Sequence, residues 1–458
     1  MAFNGILFLF VFLPIALLLY YISGERIKEY VLFALSIVFY TFGAIQYIWL
    51  LLIMVVLTVA AGRILSSVSA LWVRRLLLAA GVIANIGMLF RYKILIAVMD
   101  PAFAPLFPLG ISFYTFKAVS YLADVYKGEI TLNGTPIVHD ALYLSFFAQI
   151  QSGPLTRYKS MVSSPSMSRF SDGAYRFLTG FGKKVLLADV LSHITTEVFA
   201  APSSSFTPAY AWLGSICYSL QLFYDFSGYS DMAIGISKMF GYDCVENFNY
   251  PYMTESVSRF WRRWHISLSE WFRDYVYIPL GGSRGKSPLR VYVNLFIVWL
   301  LTGLWHGLSW NFIVWGLGYF VMISFERMTG FPGKIRSGFL KGLYRIFVLF
   351  FINCQWIMFR SSGMRNGFEF IKHLFVPGNA ALTDRRVFFL ISNYGVFIAA
   401  AIILCFPAAD AVRKKLSSNA AADTVYQCLH ALLVIGIFIT ALAFVVAGGN
   451  NPFVYANF

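Results

Sequence analysis

One stretch of this chain carries no formal charge over 25 consecutive residues. Residues 296–320 read FIVWLLTGLWHGLSWNFIVWGLGYF, which is long enough to cross a bilayer as one helix. His306 lies near the middle of the stretch, between Trp305 and Gly307. Hydrocarbon penalises an ionisable side chain at that depth, so an intramembrane histidine marks a functional site by default. The alternative is a neutral imidazole that is hydrogen-bonded to a neighbouring helix.

The composition of the whole chain is that of a membrane protein. Of its 458 residues, 59% are hydrophobic and 12% are charged, and the mean hydropathy is +0.69. A soluble protein of this length carries about twice that share of charged residues. Apolar runs recur along the sequence, and several of them are too short to span alone. They predict an all-α polytopic membrane protein with about 10–12 transmembrane helices and some re-entrant segments.

Breaks in the helical pattern are expected at residues 100–101, 107–110 and 152–154, each of which contains proline. Irregular backbone at membrane depth is tolerated only where protein or a water-filled cavity covers it. No polar stretch is long enough to fold outside the membrane, so residues 1–458 are predicted to form a single integral-membrane domain. The apolar N-terminus follows no basic segment and is predicted to be a retained first span.

The charge distribution indicates which side of the membrane the loops face. The chain has 36 basic and 21 acidic residues and a formal net charge of +15. Because the charges lie in short loops, they favour a positive-inside topology and contact with anionic lipids, and they disfavour nucleic-acid binding. The loop at 259–290 is placed on the cytoplasmic side, and the basic stretch 327–345 is expected to be a solvated loop. Five cysteines without CxxC spacing suggest neither a disulfide framework nor a zinc site.

The most basic stretch directly precedes the uncharged one. Residues 259–290 read RFWRRWHISLSEWFRDYVYIPLGGSRGKSPLR and include a second histidine, His265. A basic, tryptophan-rich segment that leads into a buried histidine suits an anionic, phosphate-bearing substrate. The GSRGKS at 282–287 is not a P-loop, because Leu280 occupies the position of the required glycine. The cations of the stretch are Arg259, Arg262, Arg263, Arg273, Arg284, Lys286 and Arg290.

These residues resemble a known family. WRRWHISLSEWFRDYVYIPLGGSRG followed by LTGLWHG is similar to the membrane-bound O-acyltransferase (MBOAT) family, and within it to the bacterial branch of the alginate O-acetyltransferase membrane subunit and the teichoic-acid D-alanyl transferase. LGISFYTF at 109–116 and SFFAQIQSGPLTRY at 145–158 extend the resemblance, although Ala148 and Leu155 depart from the family pattern. The resemblance is strong over residues 100–320, and it implies a helical bundle around a central tunnel.

The resemblance implies roles for both histidines. His306 matches the family's near-universal histidine and is expected to be the general base, for which an unperturbed pKa near operating pH is suited. His265 matches a second family position, held by asparagine or histidine, and is expected to orient the acyl donor or acceptor. The chemistry requires no metal, and the histidines lack HExxH spacing. The residues of this stretch expected to bind substrate are Arg259, Arg262, Arg263, Trp261 and Trp264.

Two carboxylates complete the candidate substrate-binding set. Asp225 and Asp231 lie in the stretch 222–252, LFYDFSGYSDMAIGISKMFGYDCVENFNYPY, where the family resemblance is close. Six residues apart, they do not share one helical face, and a break is expected at Ser227-Gly228. The alternative is that both are buried acids paired with loop arginines.

The C-terminus carries a further family-like motif. The chain ends PFVYANF, in which Tyr455 and Phe458 match an aromatic motif of bacterial MBOAT acylation systems, whereas Val454 and Ala456 depart from it. The resemblance implies an acyl relay at Tyr455. The alternative is an ordinary aromatic tail at the membrane interface.

The resemblance also implies a reaction and its participants. The expected function is transfer of an acyl group, in the first place acetyl, from a cytoplasmic thioester to an exported cell-surface polysaccharide. The donor is acetyl-coenzyme A or an acyl-carrier thioester, and no cofactor is expected to be bound permanently. The chain would be a multi-pass protein of the cytoplasmic (inner) membrane, in contact with its lipids, and would hand the acetyl group to an extracytoplasmic, SGNH-like partner acetyltransferase.

Two other functions remain open at this point. One is D-alanyl transfer to teichoic acid, fed by a carrier protein. The other is a transporter or channel in which His306 relays protons. Against transport, the sequence shows no inverted repeat and no further ionisable residues along one helix.

Overall fold

The computed structural model describes residues 1–99, 107–283, 287–378, 381–416 and 420–448. In these ranges the chain is helical, with no strand and one isolated antiparallel bridge between Phe248 and Trp264. The predicted all-α class is therefore confirmed. The α-helices are α1 (Leu13–Ile22), α2 (Lys28–Ala44), α3 (Ile48–Ser67), α4 (Leu71–Val98), α5 (Ile111–Lys127), α6 (Ile137–Ser145), α7 (Phe147–Ile150), α8 (Met167–Gly182), α9 (Val190–Ala200), α10 (Pro208–Met239), α11 (Val257–Trp261), α12 (Ile266–Phe272), α13 (Pro288–His306), α14 (Trp310–Thr329), α15 (Gly338–Arg360), α16 (Met364–His373), α17 (Arg385–Leu404), α18 (Ala408–Leu416) and α19 (Ala420–Val446).

Shorter helical turns join several of these helices. In the described part of the chain, three are π-helical, a rare form that often accompanies functional sites: Phe8–Phe12, Lys183–Asp189 and Arg273–Tyr277. The segment Lys183–Asp189 continues α8 directly into α9. Four are 3₁₀ turns: Ile45–Tyr47, Tyr158–Ser160, Ser203–Ser205 and Pro251–Met253.

The chain forms two compact units. One contains Met1–Phe181 and Tyr229–Glu246, and the other contains Gly182–Gly228 and Asn247–Asn451. Both histidines of the candidate site belong to the second unit. The single-domain organisation expected for residues 1–458 stays a prediction.

Six helical segments of the described ranges are long and apolar enough to span a membrane. Their outward-facing side chains are apolar, as Trp49, Phe388 and Leu432 illustrate, each more than half exposed. Such an exposed apolar surface is expected of a protein whose solvent is lipid. The chain is therefore a multi-pass membrane protein, and the count of 10–12 spans stays a prediction. The segments are Lys28–Ser67, Leu71–Val98, Pro288–His306, Gly338–Arg360, Arg385–Leu404 and Ala421–Val446.

Two of the three expected breaks are confirmed. Residues 107–110 form a turn before α5, and Gly110 adopts φ +69°, a left-handed conformation that glycine tolerates best. Residues 152–154 are irregular and follow α7. The third break, at residues 100–101, lies outside the described residues.

The uncharged stretch 296–320 does not form one helix. Helix α13 ends at His306, and α14 begins at Trp310 after a short turn. The two helices approach closely at Gly303, where a Cβ atom would lie 2.7 Å from the Phe312 carbonyl oxygen. His306 therefore lies at the end of a helix and beside the turn, rather than at the middle of a single span.

The break expected at Ser227-Gly228 is also wrong. Helix α10 runs unbroken from Pro208 to Met239. A single glycine costs a helix only about 1 kcal/mol relative to alanine. Packing in the interior outweighs that preference here, since Phe226 and Ser227 are both buried.

Candidate active site

His306 lies inside an aromatic shell. The residue is 5% exposed, and its ring lies 4.3 Å from the Trp305 ring and 4.9 Å from the rings of both Trp315 and Phe359, centroid to centroid. The Phe312 ring stacks at 6.3 Å. Helices α13, α14 and α15 thus each contribute a ring to a site that holds one imidazole.

Backbone hydrogen bonds between two segments, residues 247–249 and 263–266, hold His265 in place. It directly precedes α12 with φ +46°, one of two non-glycine residues of the described chain in the left-handed region. The Ile266 amide donates to the Asn247 carbonyl at 3.0 Å, and the Asn249 amide donates to the Arg263 carbonyl at 2.9 Å. These bonds fix the backbone on both sides of His265, which explains how the unfavourable conformation is maintained.

The side chain of Asn247 fixes the tautomer of His265. Asn247 Oδ1 accepts from the Ser267 amide at 3.3 Å and from Ser267 Oγ at 2.9 Å. Because a backbone amide only donates, the atom that faces it is the carbonyl oxygen, and His265 Nδ1, 3.1 Å away, must donate to it. The lone pair of the ring therefore lies on Nε2, which is buried and has no hydrogen-bond partner among the described residues.

Burial also fixes the protonation state of His265. The residue is 2% exposed, and desolvation lowers its pKa from 6.5 to about 3. His265 is therefore neutral at physiological pH. With Nδ1 donating to Asn247, it can accept a hydrogen bond at Nε2 but cannot supply a positive charge.

One indole ring links the two histidines. Trp305 lies 6.4 Å from the His265 ring and 4.3 Å from the His306 ring, centroid to centroid. The two histidines are 41 positions apart in the sequence, so their shared neighbour is a result of the fold.

A cavity of about 1070 Å³ lies within the same unit. Its wall is formed by α11 to α15 and the π-helical segment Arg273–Tyr277. Four of its residues, from Leu295 to Thr302, lie on α13, and His306 follows Thr302 by one helical turn, about 6 Å along the axis. Among the described residues, two acids line the cavity, Glu255 and Glu326, against six cations: Arg259, Arg262, Arg273, Arg327, Lys341 and Arg345.

Three of the five residues of the stretch 259–290 that are expected to bind substrate line this cavity, and their binding role stays a prediction. Arg259, Arg262 and Trp261 line it, whereas Arg263 and Trp264 do not. Trp264 is 1% exposed and packs against Phe260. Arg284 and Lys286 lie outside the described residues.

Trp261 connects the cavity lining to the aromatic rings around His306. Its ring lies 4.9 Å from Trp299, another cavity residue, and 5.8 Å from Trp315, centroid to centroid. Trp315 in turn contacts His306. Trp315 therefore contacts both the cavity-lining Trp261 and His306.

The expectation that residues 327–345 form only a solvated loop is wrong. Arg327 lies on α14, and Lys341 and Arg345 lie on α15, where all three line the cavity. The basic spacing of this stretch is equally typical of a cytoplasmic loop. Since the stretch lies more than 60 residues after Arg259 in the sequence, only the fold shows that both basic groups line the same cavity.

Asp225 is a buried ion-pair residue. It is 1% exposed, and its Oδ1 lies 2.7 Å from Lys184 Nζ. Lys184 also pairs with Asp189 at 2.6 Å. The base lies on the π-helical segment Lys183–Asp189, so the expectation of a loop arginine is wrong for this residue, although the expected pairing is present.

Asp231 belongs to the other compact unit and has a different partner. Its Oδ1 lies 2.8 Å from Arg176 Nε, and the same guanidinium binds Glu246. Arg176 lies on α8 and not on a loop. Ion pairs thus account for the burial of both aspartates, and their role in substrate binding stays a prediction.

Tyr455 lies outside the described residues, so its acyl-relay role stays a prediction. Among the residues that the structure describes, no group of three or more His, Cys, Asp and Glu side chains is placed to hold a metal ion.

Comparison with protein families gives a match over most of the chain. Residues 34–365 match the model of the membrane-bound O-acyltransferase family. This range contains His265, His306 and the whole cavity wall.

Curated relatives agree with that match. The chain is 36% identical over 436 residues to a probable alginate O-acetylase of Pseudomonas aeruginosa, covering 89% of this chain and 81% of the relative. It is 34% identical over 423 residues to a peptidoglycan O-acetyltransferase of Helicobacter pylori, covering 81% and 79% of the two chains. A teichoic acid D-alanyltransferase of Bacillus subtilis is 31% identical over 234 residues, which cover 47% of this chain and 58% of that one.

Proposed function

Because the chain belongs to the membrane-bound O-acyltransferase family, we propose that it takes an acetyl group from a cytoplasmic thioester and moves it outward for O-acetylation of an exported cell-surface polysaccharide. Acyltransferase activity itself follows from family membership. The donor, the acceptor and the direction of transfer are the parts proposed. The observation that carries the proposal is the cationic cavity next to His306.

The cavity suits a phosphate-bearing thioester. Coenzyme A carries a diphosphate, a further phosphate and a long, flexible arm that ends in the thioester. Six basic side chains against two acidic ones provide charge complementarity to such a head group. Some of this charge is already paired, since Arg259 binds Glu255 and Arg273 binds Asp274, each within 2.7 Å. Arg262, Arg327, Lys341 and Arg345 are the cations that we assign to the phosphates.

His306 is the proposed general base. The acceptor hydroxyl attacks the thioester carbonyl, His306 takes the hydroxyl proton, the new C–O bond forms, and the C–S bond breaks to release the thiol after proton return. Base catalysis of this kind contributes roughly 10²- to 10⁴-fold to a rate. The aromatic shell around His306 excludes water, which would otherwise compete as acceptor.

His265 is the proposed orienting residue. Its neutral ring presents the Nε2 lone pair, and Asn247 holds that ring in one orientation. A lone pair at a fixed position accepts a hydrogen bond from an acceptor hydroxyl or from an amide of the donor arm. We infer no acid role for His265, because burial keeps it neutral.

The remaining participants follow from the relatives. Alginate, peptidoglycan and teichoic acid, the polymers named for the relatives, are all cell-surface polymers. We therefore infer a cytoplasmic-membrane location and an extracytoplasmic partner, SGNH-like by family resemblance, that completes the transfer. A D-alanyl group from a carrier protein is the second candidate, supported by the shorter match to the teichoic acid enzyme.

Thiol release tests the donor and the base together. Purified protein in lipid is supplied with acetyl-coenzyme A and a polysaccharide acceptor, and free coenzyme A is measured for the wild type, His306→Ala and His193→Ala. His193 is an exposed histidine outside the cavity and serves as the matched control. Release by the wild type and by His193→Ala, but not by His306→Ala, is expected. Equal release by all three variants would exclude His306 as the base, and no release by any would exclude acetyl-coenzyme A as the donor under these conditions.

A further inference from the structure

Glu326 is a buried acid in the wall of the cationic cavity. It lies on α14, one position before the cavity residue Arg327, and is 4% exposed. A buried carboxylate is costly unless charged or hydrogen-bonding partners compensate for the loss of water. The hydrogen-bond donors around Glu326 therefore show which helices its carboxylate connects.

Four donors converge on this carboxylate. Oε1 accepts from the Val257 amide at 2.6 Å and from the Tyr344 hydroxyl at 2.9 Å. Oε2 accepts from the Ser258 amide at 2.8 Å and from Ser258 Oγ at 2.6 Å. Three of the four donors belong to the start of α11 and one to α15, so a single side chain of α14 connects three walls of the cavity.

These bonds complete the hydrogen bonding of α11. The first amides of a helix have no partner within it. In α11, the amides of Val257 and Ser258 donate to Glu326, and the amide of Arg259 donates to Ser256 Oγ at 3.0 Å. A helix of five residues is far too short to be stable alone. Its position therefore depends on contacts of this kind.

Helix α11 carries side chains that line the cationic cavity. Arg259 and Trp261 lie on it, Arg262 follows it directly, and all three line the cavity. Arg327 and Arg345 face the same cavity from α14 and α15. Glu326 fixes α11 to α14 and α15 through its hydrogen bonds. This connection therefore sets the position of the two basic groups relative to each other.

We propose that Glu326 is a positioning residue for the acyl donor. It holds α11 against α14 and α15, so that the cations on both sides of the cavity bind one phosphate-bearing head group together. The inference rests on the proposed donor site. It assigns Glu326 no contact with the reacting atoms.

Glu326→Gln tests the proposal with little change in shape. A glutamine presents an amide group, which donates, where the carboxylate accepted, so at least one donor of α11 loses its acceptor. Loss of one hydrogen bond to a charged group predicts a rise in KM for acetyl-coenzyme A of roughly tenfold, with kcat changed less than threefold. Glu326→Asp, which keeps the charge, is expected to recover part of the loss. The matched control is Glu369→Gln, which changes a half-exposed acid on α16.

A truncated donor separates positioning from general damage. S-acetyl-pantetheine has the thioester arm without any phosphate. If Glu326 positions the phosphate-binding cations, kcat/KM for this donor is the same in the wild type and in Glu326→Gln. A parallel loss with both donors, or no change with either, would overturn the proposal.

Two further outcomes are distinguishable. If wild-type protein releases no coenzyme A, the proposed function fails before Glu326 is tested. If Glu326→Gln does not fold, Tyr344→Phe removes one donor and leaves the carboxylate intact. It is expected to raise KM for acetyl-coenzyme A in the same direction by a smaller factor, and an unchanged KM would contradict the proposal.

Discussion

Lys184→Met is expected to destabilise the protein strongly. Lys184 Nζ lies 2.6 Å from Asp189 and 2.7 Å from Asp225, and the three side chains are 2%, 4% and 1% exposed. Methionine keeps the approximate length of the side chain but removes its charge, so two buried carboxylates lose their ion-pair partner. Removing one member of a buried ion pair costs about 3–5 kcal/mol.

The measurement is the free energy of unfolding in mixed micelles, followed by tryptophan fluorescence during a denaturant titration. Lys159→Met is the matched control, because its pair with Glu129 is at 3.4 Å and both side chains are about half exposed. An exposed pair contributes at most about 1 kcal/mol. The double variant Lys184→Met with Asp225→Asn should recover part of the stability, since it leaves one buried carboxylate fewer.

The result also bears on the role of Asp225. A loss of several kcal/mol with partial recovery in the double variant would show that Asp225 is held by its ion pair. A loss no larger than that of Lys159→Met would refute this reasoning and leave the burial of Asp225 without an explanation by ion pairing.

Two other predictions use the same titration. Gly303→Ala places a Cβ 2.7 Å from the Phe312 carbonyl oxygen and should lower the free energy of unfolding by about 1–3 kcal/mol by overpacking α13 against α14. The control Gly338→Ala, with nothing within 4 Å of the added atom, should leave that free energy unchanged. Equal values for the two variants would contradict the close approach of α13 and α14. Between pH 6.5 and about 3, the unfolded His265 binds a proton that the folded one does not. The free energy of unfolding should therefore fall as the pH is lowered through this range, by up to about 1.4 kcal/mol per pH unit. His265→Asn should lose this part of the slope, and an identical slope in both proteins would contradict burial of a neutral ring.

The membrane class and the family are visible in the sequence because both depend on local features. A low charged fraction and long apolar runs indicate lipid as the solvent, and the motifs around His265 and His306 are contiguous. The breaks at 107–110 and 152–154 follow from prolines and glycines at the ends of apolar segments. These signals do not depend on tertiary packing.

The errors have a common cause in tertiary packing. An uncharged run does not reveal that Gly307 interrupts it, because glycine is tolerated within α10 at Gly228 and ends a helix after His306. The sequence also gives no sign that Asn247, 18 residues before His265, would hold its ring. Likewise, the cavity is built from basic residues of separate helices, and the buried partners of Asp225 and Asp231 lie on helices rather than loops.

The most direct test of the central claim is the ester content of the polysaccharide that cells export. Cells that lack this chain are complemented with the wild type, His306→Ala or His193→Ala, and acetate released from the polysaccharide by mild alkali is measured at equal membrane levels of the protein. If His306 is the general base of acetylation, the wild type and His193→Ala should give alkali-released acetate. With His306→Ala, the amount of acetate should fall by at least about 100-fold. Equal acetate from all three strains would contradict the claim, and alkali-released D-alanine in place of acetate would establish the alternative acyl group.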